Sequence, residues 1–191
     1  DVTDGAATLL GDSTVSGSDV GLLVQGGTLT ADGTGAQLLL TANLVGAAVF
    51  SGTMTLDSIR AVDNDGTGVA CTGGACSVVS SEISGDISGP GAVFGFVAGG
   101  AATVDFQDNL VFGNADTGVT IYPTAVLTEF AGNAIYANQG SELLVYGSRD
   151  LSAADCARAN ELACYAGGAG DYGLEVATIA IAATVTANNL Q

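Results

Sequence analysis

Two carboxylates, Asp105 and Glu129, stand 24 residues apart, and each is followed at once by a phenylalanine, Phe106 or Phe130. On equivalent strands of a repeating sheet their backbones would lie about 4.8 Å apart. Carboxyl groups so placed can splay into water, share a cation that relieves their repulsion, or serve as the acid and base of a glycoside hydrolase. Asp108 is close enough to join Asp105 and Glu129 around a calcium ion. Asp63-Asn64-Asp65-Gly66 looks like part of a calcium loop, yet it lacks the distal Glu of an EF-hand and fits better as a turn. The second chemical group is aromatic. Phe96, Tyr122 and Tyr146 follow one another at 26 and 24 residues, and Tyr122 and Tyr146 each succeed an inward-type residue, Ile121 or Val145. Stacked outward, the three rings would offer flat faces to sugars, with hydroxyls for polar contact. Otherwise they shield strand ends.

The elements that must position these groups are repeats. Phe106-Gln-Asp-Asn109, Phe130-Ala-Gly-Asn133 and Val185-Thr-Ala-Asn188 each place an apolar residue three positions before Asn. Asn109 leads through Leu110-Val111-Phe112 to Asn114, and Asn133 through Ala134-Ile135-Tyr136 to Asn138, a unit of about 24 residues. Asn64-Asp-Gly-Thr-Gly68-Val69 echoes Asn114-Ala-Asp-Thr-Gly118-Val119 at a distance of 50, two units with one between. That middle unit is expected to carry Val79-Ser-Ser-Glu82 in the Phe-x-x-Asn slot, with Leu40-Thr-Ala-Asn43, Leu56-Asp-Ser-Ile59 and Val15-Ser-Gly-Ser18 as weaker copies. Apolar residues alternate within a unit at Val104 and Phe106, Leu110 and Phe112, Val119 and Ile121. The period is that of strands. Three short strands cannot bury their inward residues alone and must stack on the next unit. The reading places Phe106 on Phe130 and Phe112 on Tyr136, both pairs in the interior.

Composition narrows the partners. The 191 residues hold 29 Gly and 2 Pro, no His, and three Arg against 20 Asp plus Glu, for a net charge of −17. Nucleic acid, which needs clustered cations, is excluded as a partner. The apolar stretch 176–187 is too short to cross a bilayer, so a soluble protein is expected. Cys71/Cys76 and Cys156/Cys164 form two local pairs, which suggests disulfides and an oxidising compartment. Asp150 to Cys164 reads as a short capped helix in an insertion over about 147–171. Cysteines eight apart on one helix sit about 12 Å apart, so a Cys156–Cys164 bond requires that helix to break. The chain reads as one domain, 1–191, with both ends cut in mid-unit, as in a segment of a longer protein.

Three short strands per unit, Asn at a turn and Gly-Val opening the third strand resemble the right-handed parallel β-helix of the pectate-lyase-like superfamily. The likeness is best over 50–146 and resumes over 172–191. It implies an internal Asn ladder, and Asn109, Asn133 and Asn188 fall at that position. The hydrolase branch of the superfamily uses an Asp cluster with Gly-His-Gly and Arg-Ile-Lys motifs, which a chain without His or Lys lacks. The lyase branch uses calcium on carboxylates with a basic residue. Here Arg60 is the only Arg within a regular unit, and the charge of −17 would repel a polyuronate.

The sequence is therefore expected to encode an all-β parallel β-helix acting as a secreted or surface-exposed structural and adhesive module, without catalysis. Its partner would be a polysaccharide or cell-surface glycan, held by Phe96, Tyr122 and Tyr146. No cofactor is expected, calcium on Asp105, Asp108 and Glu129 being the alternative. Two further readings stay open. One is a carbohydrate-active enzyme using Asp105 and Glu129; the other is a filament or coat subunit joined end to end, with Val15 and Leu190 near the open units.

Overall fold

The structure, a computed structural model, describes residues 1–85, 94–122, 124–145, 174–176, 184–186 and 189–190. The insertion helix, Cys156, Cys164, Tyr146 and Asn188 lie outside the described residues. Strands follow in the order β1 (Ala6–Leu10), β2 (Ser13–Ser16), β3 (Val20–Asp32), β4 (Leu38–Thr41), β5 (Val45–Asp57), β6 (Arg60–Val62) and β7 (Thr67–Cys71). Then come β8 (Ala75–Val79), β9 (Glu82–Ser84), β10 (Phe94–Ala98), β11 (Thr103–Gln107), β12 (Leu110–Phe112) and β13 (Val119–Ile121). The last are β14 (Val126–Ala131), β15 (Ala134–Tyr136), β16 (Leu143–Val145), β17 (Leu174–Val176), β18 (Thr184–Thr186) and β19 (Asn189–Leu190). Every pairing between them is parallel, and rungs are about 24 residues apart. The fold is an all-β parallel solenoid.

Each rung contributes one strand to each of three faces. Face A stacks β1, the second half of β3, the second half of β5, β8, β11, β14 and β18. Face B stacks β2, β4, β6, β9, β12, β15 and β19. Face C stacks the first halves of β3 and β5 with β7, β10, β13, β16 and β17. β3 and β5 run through the corner between faces C and A, where Gly27 and Gly52 take φ of +66° and +89°. One rung later the corner is a turn, Thr72-Gly-Gly-Ala75, stapled from inside by the Cys71–Cys76 disulfide.

Alternation sends one side of every strand into a shared interior. Phe96, Phe106 and Phe130 form its aromatic column, with ring centroids 4.3 Å apart for Phe96 and Phe106 and 5.5 Å for Phe106 and Phe130. Full burial of each such ring stabilises the fold by about 1.5–3 kcal/mol. Face B behaves differently from the expectation for Phe112 and Tyr136. Val111 and Ile135 face inward, and Phe112 and Tyr136 stand half-buried on the outer side. A slip of one residue exchanges the two sides of a strand, and here Asn109 occupies the inward position, so Leu110 must turn out and Val111 in.

Two corners carry polar ladders. At the corner between faces A and B the buried positions are Ile59, Ser81, Asn109 and Asn133, and at that between B and C they include Asn43, Asn64, Asn114 and Asn138. Asn109 Nδ2 donates to Asn133 Oδ1 at 3.1 Å and to the Val78 carbonyl at 2.8 Å, and its own Oδ1 accepts from the Ser81 amide at 3.0 Å. At the other corner Asn43 Nδ2 donates to Asn64 Oδ1 at 3.1 Å, and Asn114 Nδ2 to Asn138 Oδ1 at 2.7 Å. The residue before most ladder positions is left-handed: Ser58, Ser80 and Asp108 have φ of 54°, 51° and 53°.

This arrangement corrects three register assignments. Phe106 pairs with Val78, so the ladder slot of that rung holds Ser81 and not Glu82. Leu40-Thr-Ala-Asn43 and Val15-Ser-Gly-Ser18 belong to the second corner, because Leu40 sits on face B and Asn43 stacks on Asn64. The short gap from Asn43 to Ile59 thus separates two corners of the solenoid rather than two rungs at one corner.

Candidate functional site

The outer side of face B assembles two columns by register. Leu39, Arg60, Glu82, Leu110 and Ala134 form one, and Thr41, Val62, Ser84, Phe112 and Tyr136 the other. Phe112 and Tyr136 stack with centroids 5.4 Å apart and planes 6° from parallel. The offset follows from geometry, since aromatic planes touch closer than the rung spacing and the rings must slide to stay in contact. In the other column, on the two preceding strands, Arg60 Nε and Nη2 each donate to a Glu82 carboxylate oxygen at 2.9 Å, a two-point pair spanning adjacent strands. Glu82 raises the pKa of Arg60 mainly through its side-chain hydrogen bond, against a smaller opposing loss of solvent. Arg60 therefore stays charged throughout the working range.

The carboxylates behave as neighbours in register. Asp105 and Glu129 are direct partners across β11 and β14, with a bulge that leaves Thr128 as the extra residue. Asp105 is already occupied: its Oδ2 accepts from Ser77 Oγ at 3.2 Å and its Oδ1 from Gln107 Nε2 at 2.6 Å. Glu129 is exposed. Asp108 lies at the corner, its carboxylate over Gly132 of the next rung, where a β-carbon would collide with it. Among the described residues no three His, Cys, Asp or Glu side chains converge as metal ligands.

The expected aromatic stripe is divided by the fold. Phe96 is fully buried and pairs with Val119, not with Tyr122, so it belongs to the core; the odd spacing of 26 hid a register step. Tyr122 is 45% exposed and packs by its ring over Gly99. Phe50 is also outward, at 53% exposure, but the outward rings seen to stack on one another among the described residues are Phe112 and Tyr136, whose spacing of one repeat was visible although their side was not. Glu82 as the partner of Arg60 was also readable, since 22 residues separate them and that is one short rung.

Glycines at the start of face C, Gly118 and Gly46 among them, have a structural reason tied to the ladder. A β-carbon at Gly118 would come within 2.5 Å of Asn138 Nδ2 and 2.8 Å of the Glu142 carbonyl, and one at Gly46 within 3.0 Å of Asn64 Nδ2. Ladder Asn and facing Gly are thus one device. No described helix is long and apolar enough to cross a membrane. Comparison with protein-family models, with curated proteins and with solved structures finds no match for this chain.

Proposed function

We propose that this chain is a non-catalytic, extracellular β-helix module of the pectate-lyase-like type, whose rigid flank holds a neutral glycan against Phe112 and Tyr136. The observation that carries the reading is the pair of outward rings, nearly parallel, on a face whose neighbouring charges, Arg60 and Glu82, neutralise each other. Stacking on sugar C–H faces needs a held aromatic and little charge. A disulfide at the solenoid corner supports an oxidising, extracellular setting. The hydrogen bonds from Ser77 and Gln107 to Asp105 support binding over bond cleavage, because they give that carboxylate a structural task.

Affinity electrophoresis in gels containing neutral polysaccharides tests this. The chain should be retarded by at least one of them, and Phe112→Ala with Tyr136→Ala should abolish the retardation without unfolding. Release of new reducing ends from the same polysaccharides, lost in Asp105→Asn, would replace this reading with that of a hydrolase.

A further inference from the structure

Face A carries a different kind of surface. Along its outer side one rank runs Ala6, Thr28, Thr53, Ala75 and Thr103, and a parallel rank two residues on runs Thr8, Thr30, Thr55, Ser77 and Asp105. Successive rungs set the repeat within a rank at about 4.8 Å, and two strand residues set the ranks about 6.6–6.8 Å apart. The hydroxyls of Thr8, Thr28, Thr30, Thr53, Thr55 and Thr103 make no hydrogen bond among the described residues. They are donors and acceptors held ready for solvent.

Three properties make this face more than a polar flank. Threonine is stiff at χ1, so each side chain presents its hydroxyl and methyl in few arrangements. The backbone beneath is pinned by parallel pairing on both sides and, at the adjoining corner, by the Cys71–Cys76 bond. The bordering charges are turned to their own loops: Asp32 Oδ1 accepts from the Thr34 amide at 2.7 Å, and Asp57 Oδ1 from Ser58 Oγ at 2.8 Å. On a chain of net charge −17, the two ranks from Thr8 to Ser77 hold no ionised group. Between the ranks lies an open trough of about 140 Å³, lined by Thr53, Thr55, Ala75, Ser77, Thr103 and Asp105. Each water needs about 10–15 Å³ of such space, so the trough takes several in file.

We infer that face A is a site for the ordered water of an ice surface. Two O–H···O links of about 2.75 Å meeting at the tetrahedral angle span about 4.5 Å, close to the rung repeat of about 4.8 Å. Waters bound to successive hydroxyls of one rank therefore sit at second-neighbour spacing in a hydrogen-bonded lattice. The methyl groups between them leave water ordered around apolar surface rather than bound to the protein. Because the side chains are fixed before contact, little ordering entropy opposes adhesion. A glycan fits face A less well, since the ranks offer no ring to stack on and no amide or carboxylate fork between Thr8 and Ser77.

The experiment uses the disulfide-intact chain in a frozen sucrose film held just below its melting point, with ice-grain growth followed by microscopy. Grains should coarsen severalfold more slowly than in buffer, and growth should recover with Thr30→Tyr plus Thr55→Tyr. Thr30→Val, which keeps the shape and removes one hydroxyl, should weaken the effect without changing the circular dichroism. Phe112→Ala should leave it intact, which separates this face from the glycan reading. Coarsening at the buffer rate with folded wild-type chain overturns the inference. So does full inhibition by a folded Thr30→Tyr plus Thr55→Tyr chain, or a dimer in sedimentation that those substitutions dissociate, which would make face A an interface between copies.

Discussion

Replacing Asn109 by alanine tests the ladder where its bonding is most complete. The side chain accepts from the Ser81 amide at 3.0 Å and donates to the Val78 carbonyl at 2.8 Å and to Asn133 Oδ1 at 3.1 Å, all in a corner where Asn109 is 2% exposed. Asn133 Oδ1 keeps a partner after the change, because the Asn109 backbone amide also donates to it at 3.0 Å. The Val78 carbonyl likewise keeps the Gln107 amide of the parallel β8–β11 pairing, so the Ser81 amide alone is orphaned. A buried group left unsatisfied costs about 1–3 kcal/mol, so Asn109→Ala should lose about 1–3 kcal/mol. Urea unfolding followed by circular dichroism measures it, with Thr103→Ala on the exposed side of β11 as a control that stays within about 0.5 kcal/mol. Hydrogen exchange adds location: the Ser81 amide should lose protection more than amides of β1 or β2. A loss below 1 kcal/mol, or one spread evenly along the solenoid, would refute the reasoning that the ladder satisfies groups nothing else can reach.

Further outcomes follow from the same geometry. Gly118→Ala should cost about 1–3 kcal/mol, the usual range for overpacking, because its new methyl meets Asn138 Nδ2 and the Glu142 carbonyl; urea midpoints compare it with wild type. Removing the Cys71–Cys76 bond as a double alanine variant should lower stability by about 2 kcal/mol, the chain-entropy value for so short a loop, read from the same curves. The Thr34 hydroxyl, and then the Thr34 amide, hold the Asp32 carboxyl below its usual pKa. A lowered folded pKa gives stability that is present above the unfolded value, near pH 4, and disappears as pH falls through the folded one. Asp32→Asn should therefore flatten the stability profile at the acid end and leave its shape above pH 5 unchanged. Adding calcium and then chelator should leave the melting midpoint in place, since Asp105 already has Ser77 and Gln107 as partners; a rise reversed by chelator would restore the cation reading.

The repeat was legible because its most constrained residues are large and regularly spaced. Phe106 over Phe130 and Asn109 over Asn133 need nothing beyond the period to be placed. Failures came where one pattern fits two places. Apolar-x-x-Asn describes the corner after face A and equally the corner after face B, so Asn43 was assigned beside the wrong neighbours. A three-residue strand such as Leu110-Val111-Phe112 is apolar throughout, and alternation cannot choose its inward side without the inward Asn109 before it. The bulge at Thr128 and the longer rung before Phe96 shift registers by steps that a fixed period of 24 does not contain. The hydroxyl ranks of face A were missed for another reason. Thr-x-Thr reads as ordinary strand sequence, and only stacking shows that Thr28 and Thr30 lie beside Thr53 and Thr55.

The central claim is that the outward rings of face B, not the carboxylates Asp105 and Glu129 on face A or Tyr122, make contact with glycan. Intrinsic tyrosine fluorescence of the Tyr122→Phe chain, titrated with the neutral polysaccharide that retards the protein, tests it most directly. A saturable change that disappears in Tyr122→Phe plus Phe112→Ala, with circular dichroism unchanged, is the expected result. An identical titration in both chains would contradict it.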